Sequence, residues 1–410
     1  MEVVKKIDFA RGEDQEAMDF LTQKGLVDRI LDDLAILGCV GENRNKFLTY
    51  LVATSRKMEN PLACILRGDS SAGKSYLAET IIKLIPDEEK QILTRVTKQV
   101  LFYEEKLAHK LIYIKEANGD EDAIYAIRTL LSEKKLSLKR LVGTDVIDFE
   151  VEGPIAFIET TVDETIETQK ATRVFEIWMD ESIDHTQEIH KHQRQKYTLS
   201  GLELKQQSVE TIERHHIAQK KLKGVHIAIP YVEQITFSSK QLRSRRDHQK
   251  FLDLICVSAF LHQFQRDCDL FDGQEYIKAN MKDYEIASWL MEPILLKTLD
   301  DYGSKSRELL EGIIGMVRKL SKEEQKQLQE ITFTRSEIAE SMKWTLRQVR
   351  THIKELEDLE AIKVISGSKG KEYQYRLLRD SDQMGPSGLL KPEELKRKYE
   401  ALNSHVEHSE

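Results

Sequence analysis

Gly68-Asp69-Ser70-Ser71-Ala72-Gly73-Lys74-Ser75 is a full match to the pattern G-x-x-x-x-G-K-[ST]. Glycines at both ends let the backbone curl so that several N–H groups converge on phosphate oxygens. Lys74 is the residue that reaches β- and γ-phosphates, and the Ser75 hydroxyl is placed to ligate Mg²⁺. Ala63-Cys64-Ile65-Leu66 is a short apolar run before the loop, as for a buried strand. From Tyr76, the apolar spacing Leu77, Ile81, Leu84 predicts a helix that Pro86 stops. Phosphates would lie at the N-terminus of that helix. A glycine turn matching by chance is the plain alternative, and it would not need these flanks. The candidate nucleotide-binding residues are therefore Gly68, Asp69, Ser70, Ser71, Ala72, Gly73, Lys74, Ser75 and Tyr76.

The remaining sequence bounds what can surround this loop. A length of 410 residues allows two or three domains. A charged fraction of 32% beside 40% hydrophobic residues fits a globular chain and argues against disorder. The net charge of -8 confines any nucleic-acid contact to local patches. Cys39, Cys64, Cys256 and Cys268 form no C-x-x-C pair, so neither a zinc site nor a disulfide framework is expected. With no signal peptide and no span-length apolar stretch, the expectation is a cytoplasmic protein with no membrane contact.

Along the chain, residues 1–60 read as an N-terminal helical segment. Residues 61–182 alternate strands and helices, the pattern of a parallel sheet. Residues 183–300 read as a helical linker and lid, polar up to about 225. A connecting helix covers 301–330, a compact unit 331–380, and a charged, flexible tail 381–410 with Gly385-Pro386-Ser387-Gly388.

Hydrolysis needs a carboxylate at a neighbouring strand tip to polarise water. Leu111-Ile112-Tyr113-Ile114-Lys115-Glu116 is an apolar strand ending in an acid, which makes Glu116 the candidate base. A solvated strand end is its bland alternative. The position just before that base, where a magnesium-side acid is usual, is Lys115, and an ammonium cannot bind the metal. Ser75 would then hold Mg²⁺ with waters, or Asp120 would help. A third strand, Ile155-Ala156-Phe157-Ile158, runs into Glu159-Thr160-Thr161, with Thr161, or Thr160, placed to touch the γ-phosphate or the water. Arg173, in Ala171-Thr172-Arg173-Val174-Phe175, stands at the mouth of a further strand. Its fixed fork suits phosphate in a neighbouring subunit, although pairing with Glu176 or Asp180 is, taken alone, the simpler reading.

Before the third strand, Ile147, Phe149 and Val151 alternate with Asp148, Glu150 and Glu152, and Gly143-Thr144-Asp145 supplies a turn. This predicts a β-hairpin over about 136–152. Lys139 and Arg140 give it a basic flank that could track a phosphate backbone, or Lys139 could simply pair across strands with an acid.

Near the C-terminus, Thr334 to Met342 reads as a short helix, Lys343-Trp344-Thr345 as a turn, and the next stretch as a helix burying Val349, Ile353 and Leu356. Its other face carries Arg347, Arg350, Thr351 and Lys354. Ile362–Ile365 and Tyr373–Arg376 flank a basic tip with Lys369 and Lys371, which together make a winged helix. Such a helix enters a major groove while the tip lysines meet phosphate; docking to protein is the other use, and Glu355, Glu357, Asp358 and Glu360 dilute the basic face. His185, His190 and His192, with His215-His216 further on, lack metal-site spacing and read as exposed helix residues.

Phosphate loop, acid-tipped strand, inserted hairpin, polar strand tip and arginine, in that order, resemble an AAA+ ATPase of the hairpin-insert class. The closest likeness is to minichromosome-maintenance-type helicases, and more narrowly to the helicase-like ATPases of bacterial phages and mobile elements. The resemblance implies an α/β P-loop AAA+ core with inserted hairpin, helical lid and C-terminal winged helix. Thr172-Arg173-Val174-Phe175 matches the place of the family's arginine finger. Ser244-Arg245-Arg246-Asp247-His248 resembles the lid's second-sensor helix, with Arg246 ahead of Arg245 and Arg243 as the γ-phosphate contact. ATP and Mg²⁺ are the implied cofactors. The implied partners are single-stranded DNA in a channel, duplex DNA at the winged helix, further copies in a homo-oligomeric, hexameric ring, and a primase or other replication protein. The expected activity is ATP-dependent DNA translocation or unwinding; the alternatives are an ATP-switched initiator or regulator and a helicase loader.

Overall fold

The computed structural model describes residues 11–93, 107–115, 121–142, 145–162, 173–237, 244–298, 304–324, 326–327, 330–358, 361–368, 371–377 and 388–406. The chain divides into two compact units: Met1–Val232 with Ser239–Ile294, and Glu233–Ser238 with Leu295–Glu410.

At the centre of the first unit are five parallel strands: β1 (Ala63–Arg67), β2 (Lys90–Leu93), β3 (Lys110–Ile114), β6 (Ile155–Thr161) and β7 (Phe175–Trp178). Their order is β2-β3-β6-β1-β7. Register sets Ile65 opposite Glu159 and Glu176, and Ile112 opposite Phe157. Helices cover both faces, which is why β1 and β6 are buried at every position and read as unbroken apolar runs. Alternate residues go to opposite layers. Ala63, Ile65, Ile112, Ile114, Ile155 and Phe157 pack with α5 (Glu121–Glu133), through Ala126, Ile127 and Leu130. The opposite face carries Cys64, Leu66 and Tyr113 beneath α3 (Asn43–Thr54) and α4 (Lys74–Lys83). All five strands run the same way, so their C-terminal tips share one edge, and the loop after β1 opens there.

Between α5 and β6, β4 (Lys135–Val142) and β5 (Asp145–Glu152) form an antiparallel pair apart from the main sheet. Its base packs into the core through Leu136 and Val151. Register sets Lys139 opposite Asp148 and Arg140 opposite Ile147.

Several expected boundaries change. The N-terminal helices α1 (Arg11–Thr22) and α2 (Leu26–Ile36) are part of the first unit, not a segment apart. The apolar face of α2 (Leu26, Ile30, Leu34) needs cover that local sequence cannot supply, and α3 and α7 (Leu199–Lys221) provide it. Residues 183–225 (α6, Ile183–Gln195, then α7) therefore belong to the same body as the loop. Residues 226–300 are not helical throughout. Beside α8 (Ser244–Leu261) and α9 (Met281–Thr298) stands a sheet of β8 (His226–Ala228), β9 (Cys268–Phe271) and β10 (Gln274–Lys278). Asp272-Gly273, both at positive φ, makes the β9–β10 turn, a hairpin signal hidden between helical patterns.

In the second unit α10 (Ser304–Glu324) is core, not a connector: Leu309, Ile313 and Val317 pack with Phe333, Ile338, Val349, Ile353 and Tyr375. Around it stand α11 (Arg335–Met342), α12 (Leu346–Asp358) and an antiparallel sheet β11-β13-β12 (Thr332–Thr334, Lys371–Leu377, Ile362–Ser368). A capping box starts α11: Glu337 N donates to Thr334 Oγ1 (3.3 Å) and Thr334 N to Glu337 Oε2 (2.7 Å). The tail is not wholly flexible. Leu389, Leu390 and Leu395 are buried where α13 (Pro392–Val406) begins.

Candidate functional site

The loop Gly68–Ser75 runs from the tip of β1 into the first turn of α4. Gly68, Ser71 and Gly73 have φ of 149°, 74° and 89°, so this backbone turns through conformations that side chains resist. A Cβ on Gly68 would stand 2.8 Å from Glu181 Oε1 and 3.2 Å from Ala72 Cβ. Lys74 is buried and folds across the loop, donating to the carbonyls of Gly68 (2.7 Å) and Asp69 (2.6 Å).

Glu181, which the sequence did not single out, accepts a hydrogen bond from Asp69 N at 2.6 Å. A carboxylate thus engages a backbone N–H of an anion-binding loop. Glu181→Gln removes that charge, and nucleotide affinity is expected to rise about two- to fivefold, the size of an exposed charge–charge term. Calorimetric titration of both proteins checks this; an unchanged or weakened affinity would contradict it.

Beside the loop lies a cavity of about 250 Å³, lined among others by Gly38, Val40, Tyr76, Leu77, His185 and His192. Its frame is polar and tightly held. Glu42 accepts from Asp180 N and from Asn45 Nδ2 (3.1 Å), and Asn45 also donates to Trp178 O (2.8 Å). The turn after β7 is thereby pinned to the start of α3. Burial pushes the Glu42 carboxyl above its usual range, and His185 Nε2 stands 3.9 Å away. Burial, with Lys196 nearby, lowers His192. Tyr76 donates to Leu37 O (3.0 Å), and the Lys196 ammonium lies 5.3 Å above its ring. Ser71, Ala72 and Gly73 of the loop line this cavity too. The expectation that these histidines are exposed holds only for His190: His185 and His192 line the cavity, His215 is fully buried and His216 is half-buried. An i, i+7 pair such as His185 and His192 falls on one helix face, which was the available signal.

On the α4 side of the sheet, polar groups gather at the tips. Tyr113 of β3 and Lys115 just past its end share that face, and Thr160 shares it on β6; Thr161 alternates away from it. Thr160, the second choice, is thus nearer to Ser75 in layer than Thr161. Among the described residues the Tyr113 hydroxyl is buried without a partner in bonding geometry, while the Thr160 and Ser75 hydroxyls are close enough to act on its ionisation. Burial raises Tyr113 above its usual value. Lys115 forms an ion pair with Glu79 of α4 at 2.7 Å. Oxygen donors and an unsatisfied buried hydroxyl beside Ser75 fit a hydrated Mg²⁺, which Ser75 would hold and which would neutralise phosphate charge. Glu116 and Asp120 lie outside the described residues.

The two arginines expected at γ-phosphates lie as follows. Arg173 precedes β7, so it stands at the N-terminal edge of the sheet and hydrogen-bonds Ser132 Oγ of α5. The loop opens on the other edge, roughly 15 Å away at about 3.3 Å per strand residue. Arg246 opens α8 as expected, but Lys250, one turn on, donates to Val174 O at 3.2 Å. This turn of the helix therefore lies at the N-terminal edge too. Arg245 is exposed in the same turn, and Arg243 lies outside the described residues.

In the second unit Arg347, Arg350, Thr351 and Lys354 are all exposed on α12, while Val349, Ile353 and Leu356 are buried. Lys371 opens β13, and Lys369 lies outside the described residues.

The sequence model of the MTBMA_p00010 P-loop domain matches residues 8–220. The chain belongs to this family. The match begins before α1 and ends at the close of α7, so the P-loop domain takes in the helices that flank the parallel sheet. A P-loop domain carries nucleotide binding of the NTPase kind, typically with Mg²⁺. A comparison with curated proteins found no match. Among the described residues no helix is long and apolar enough to cross a membrane.

Proposed function

We propose that this chain is an AAA+-type ATPase of the hairpin-insert class that hydrolyses ATP between copies of itself and acts on DNA, as a replicative translocase or helicase of a phage or mobile element. The observation that carries the reading is the separation of the loop from Arg173 by the length of the sheet. An arginine too far from its own loop suits a neighbour's nucleotide, and a homo-oligomeric ring, such as a hexamer, presents every loop to an arginine from the next copy. The antiparallel β4–β5 pair before β6 and the cavity beside the loop, with room for adenine, also support it. The second unit has the element order of a winged helix, and its exposed Arg347, Arg350 and Lys354 suit a duplex groove.

A second reading, an ATP-switched initiator, regulator or loader, draws on one observation. The register sets Asp148 opposite Lys139, and an acid at that position dilutes the charge of a hairpin meant to track a strand. ATP turnover and fork unwinding, measured together with and without single-stranded DNA, separate the two. The helicase reading expects DNA-stimulated turnover and unwinding. Arg173→Ala is expected to keep nucleotide binding but lose turnover by about a hundredfold or more, and to regain part of it when mixed with Lys74→Ala. Turnover indifferent to DNA, with a defined duplex footprint, would favour the switch.

A further inference from the structure

We propose that Glu79 supplies the magnesium-side carboxylate of the nucleotide site and that Lys115 is the positioning residue that holds it there. The inference rests on the nucleotide-binding reading of the loop. It starts from a substitution of chemistry within the chain: the residue following β3, where an acid would face the metal, is an ammonium. A cation there repels Mg²⁺ unless it is neutralised, and Lys115 is neutralised by a particular partner, Glu79 Oε1 at 2.7 Å.

The partner's position gives the pair its meaning. Ser75 and Glu79 are four residues apart on α4, hence on one helix face about 6 Å apart. Tyr113 lies on β3 and Lys115 just past its end, where Lys115 N still bonds Leu93 O, so both fall on the sheet face that α4 covers. Between them the Tyr113 hydroxyl, on a residue only 1% exposed, has no partner in full bonding geometry among the described residues, and Thr160, Glu79, Lys115 and Ser75 all act on its ionisation. Among the described residues this is an oxygen-rich corner with one acid, Glu79, in it. Glu79 itself is about half exposed (43%), and Lys115 engages its Oε1, so Oε2 can face water. Mg²⁺ keeps several of its waters and takes one or two carboxylates besides phosphate. A carboxylate one helical turn beyond Ser75 can accept hydrogen bonds from those waters, the task otherwise done from the strand tip. The acid has moved from strand to helix, and the lysine in its old place steers it.

The test is binding, read without turnover: titration of a fluorescent ATP analogue against the full chain in Mg²⁺ and in EDTA. The wild type is expected to bind more tightly in Mg²⁺. Glu79→Gln should lose about tenfold or more of the Mg²⁺ affinity while keeping the EDTA affinity, which also shows that the loop is folded. Adding Lys115→Asp to Glu79→Gln returns an acid to the strand and should restore the Mg²⁺ preference. Glu79→Gln with an undiminished Mg²⁺ preference would overturn the proposal and leave a surface ion pair only. A double variant without restoration would overturn the role given to Lys115. Failure of the wild type to bind the analogue in either buffer would instead overturn the nucleotide reading beneath both.

Discussion

Lys74→Ala is expected to reduce NTP turnover by about 10² to 10³-fold, the cost of removing one preorganised donor from developing phosphate charge. The loss has two parts. Lys74 is the only side-chain cation within the loop itself, and its ammonium already lies over the loop, bonded to the Gly68 and Asp69 carbonyls. Alanine removes the charge that would follow the γ-phosphate, and it frees two carbonyls whose dipoles repel phosphate. Nucleotide affinity should therefore fall together with turnover. Lys74→Arg keeps the charge, but its planar fork does not replace a compact ammonium in this curl, so little recovery is expected. Phosphate release at saturating ATP, with calorimetric binding alongside, reads both effects. A variant that turns over near the wild-type rate would remove the loop from the chemistry.

Asp33→Ala is expected to destabilise the first unit by about 3 to 5 kcal/mol, the usual cost of breaking a buried charged network from one side. Asp33 and His215 are both fully buried, their side chains 3.0 Å apart, and Arg214 donates to Asp33 Oδ1 at 2.9 Å. The hydrogen bonds assign the imidazole: Nε2–H donates to Asp33, and Nδ1 accepts from the Tyr50 hydroxyl at 3.0 Å. Gln219 continues the chain to Tyr50 (3.0 Å) and, through its carbonyl, accepts from Arg56 (2.8 Å). This network ties α2 to α3 and α7. Alanine leaves the buried ring N–H without its acceptor, and Arg214 with Glu16 alone. Urea unfolding at neutral pH measures the loss, and a value under about 1 kcal/mol would show that the network relaxes.

The same groups set the response to acid. Burial holds His215 below its ordinary 6.5, against the pull of Asp33. Above that pH the ring is neutral folded or unfolded and there is no penalty. As pH falls below 6.5, the unfolded chain takes a proton that the buried ring refuses, so stability declines. For Asp33 burial works upward, but His215 and Arg214 outweigh it and hold the carboxyl below 3.8. Its contribution is complete above that value and is lost as pH falls through the lower folded one. Wild-type unfolding free energy should thus begin to fall near pH 6.5, and more steeply than in Asp33→Ala at the acid end.

Much of the nucleotide site was legible because its chemistry is local. An apolar strand, a glycine turn, a lysine and a helix follow one another within about twenty residues, and each obeys its own short-range rule. The third strand and the apolar stripe Val349, Ile353, Leu356 of α12 were legible for the same reason. The misread parts depend on distant segments. His215 looks like any polar helix residue until α7 meets Asp33 and Tyr50, more than 160 positions away. Leu389, Leu390 and Leu395 look like a loose tail until they are buried. Arg246 opens a helix, as its neighbours suggest, yet the edge of the sheet on which that helix lies is decided by Lys250 finding Val174.

Thus the phosphate loop, its strand and its helix, and the class of ligand they take, follow from residue order alone, because turn, pleat and helix are properties of neighbouring residues. Which acid faces Lys115, which carboxylate lies on the loop and which arginine is kept from it came only with the folded chain. Strand order and layer assignment govern these, and both are settled by burying apolar faces that belong to segments far apart in sequence.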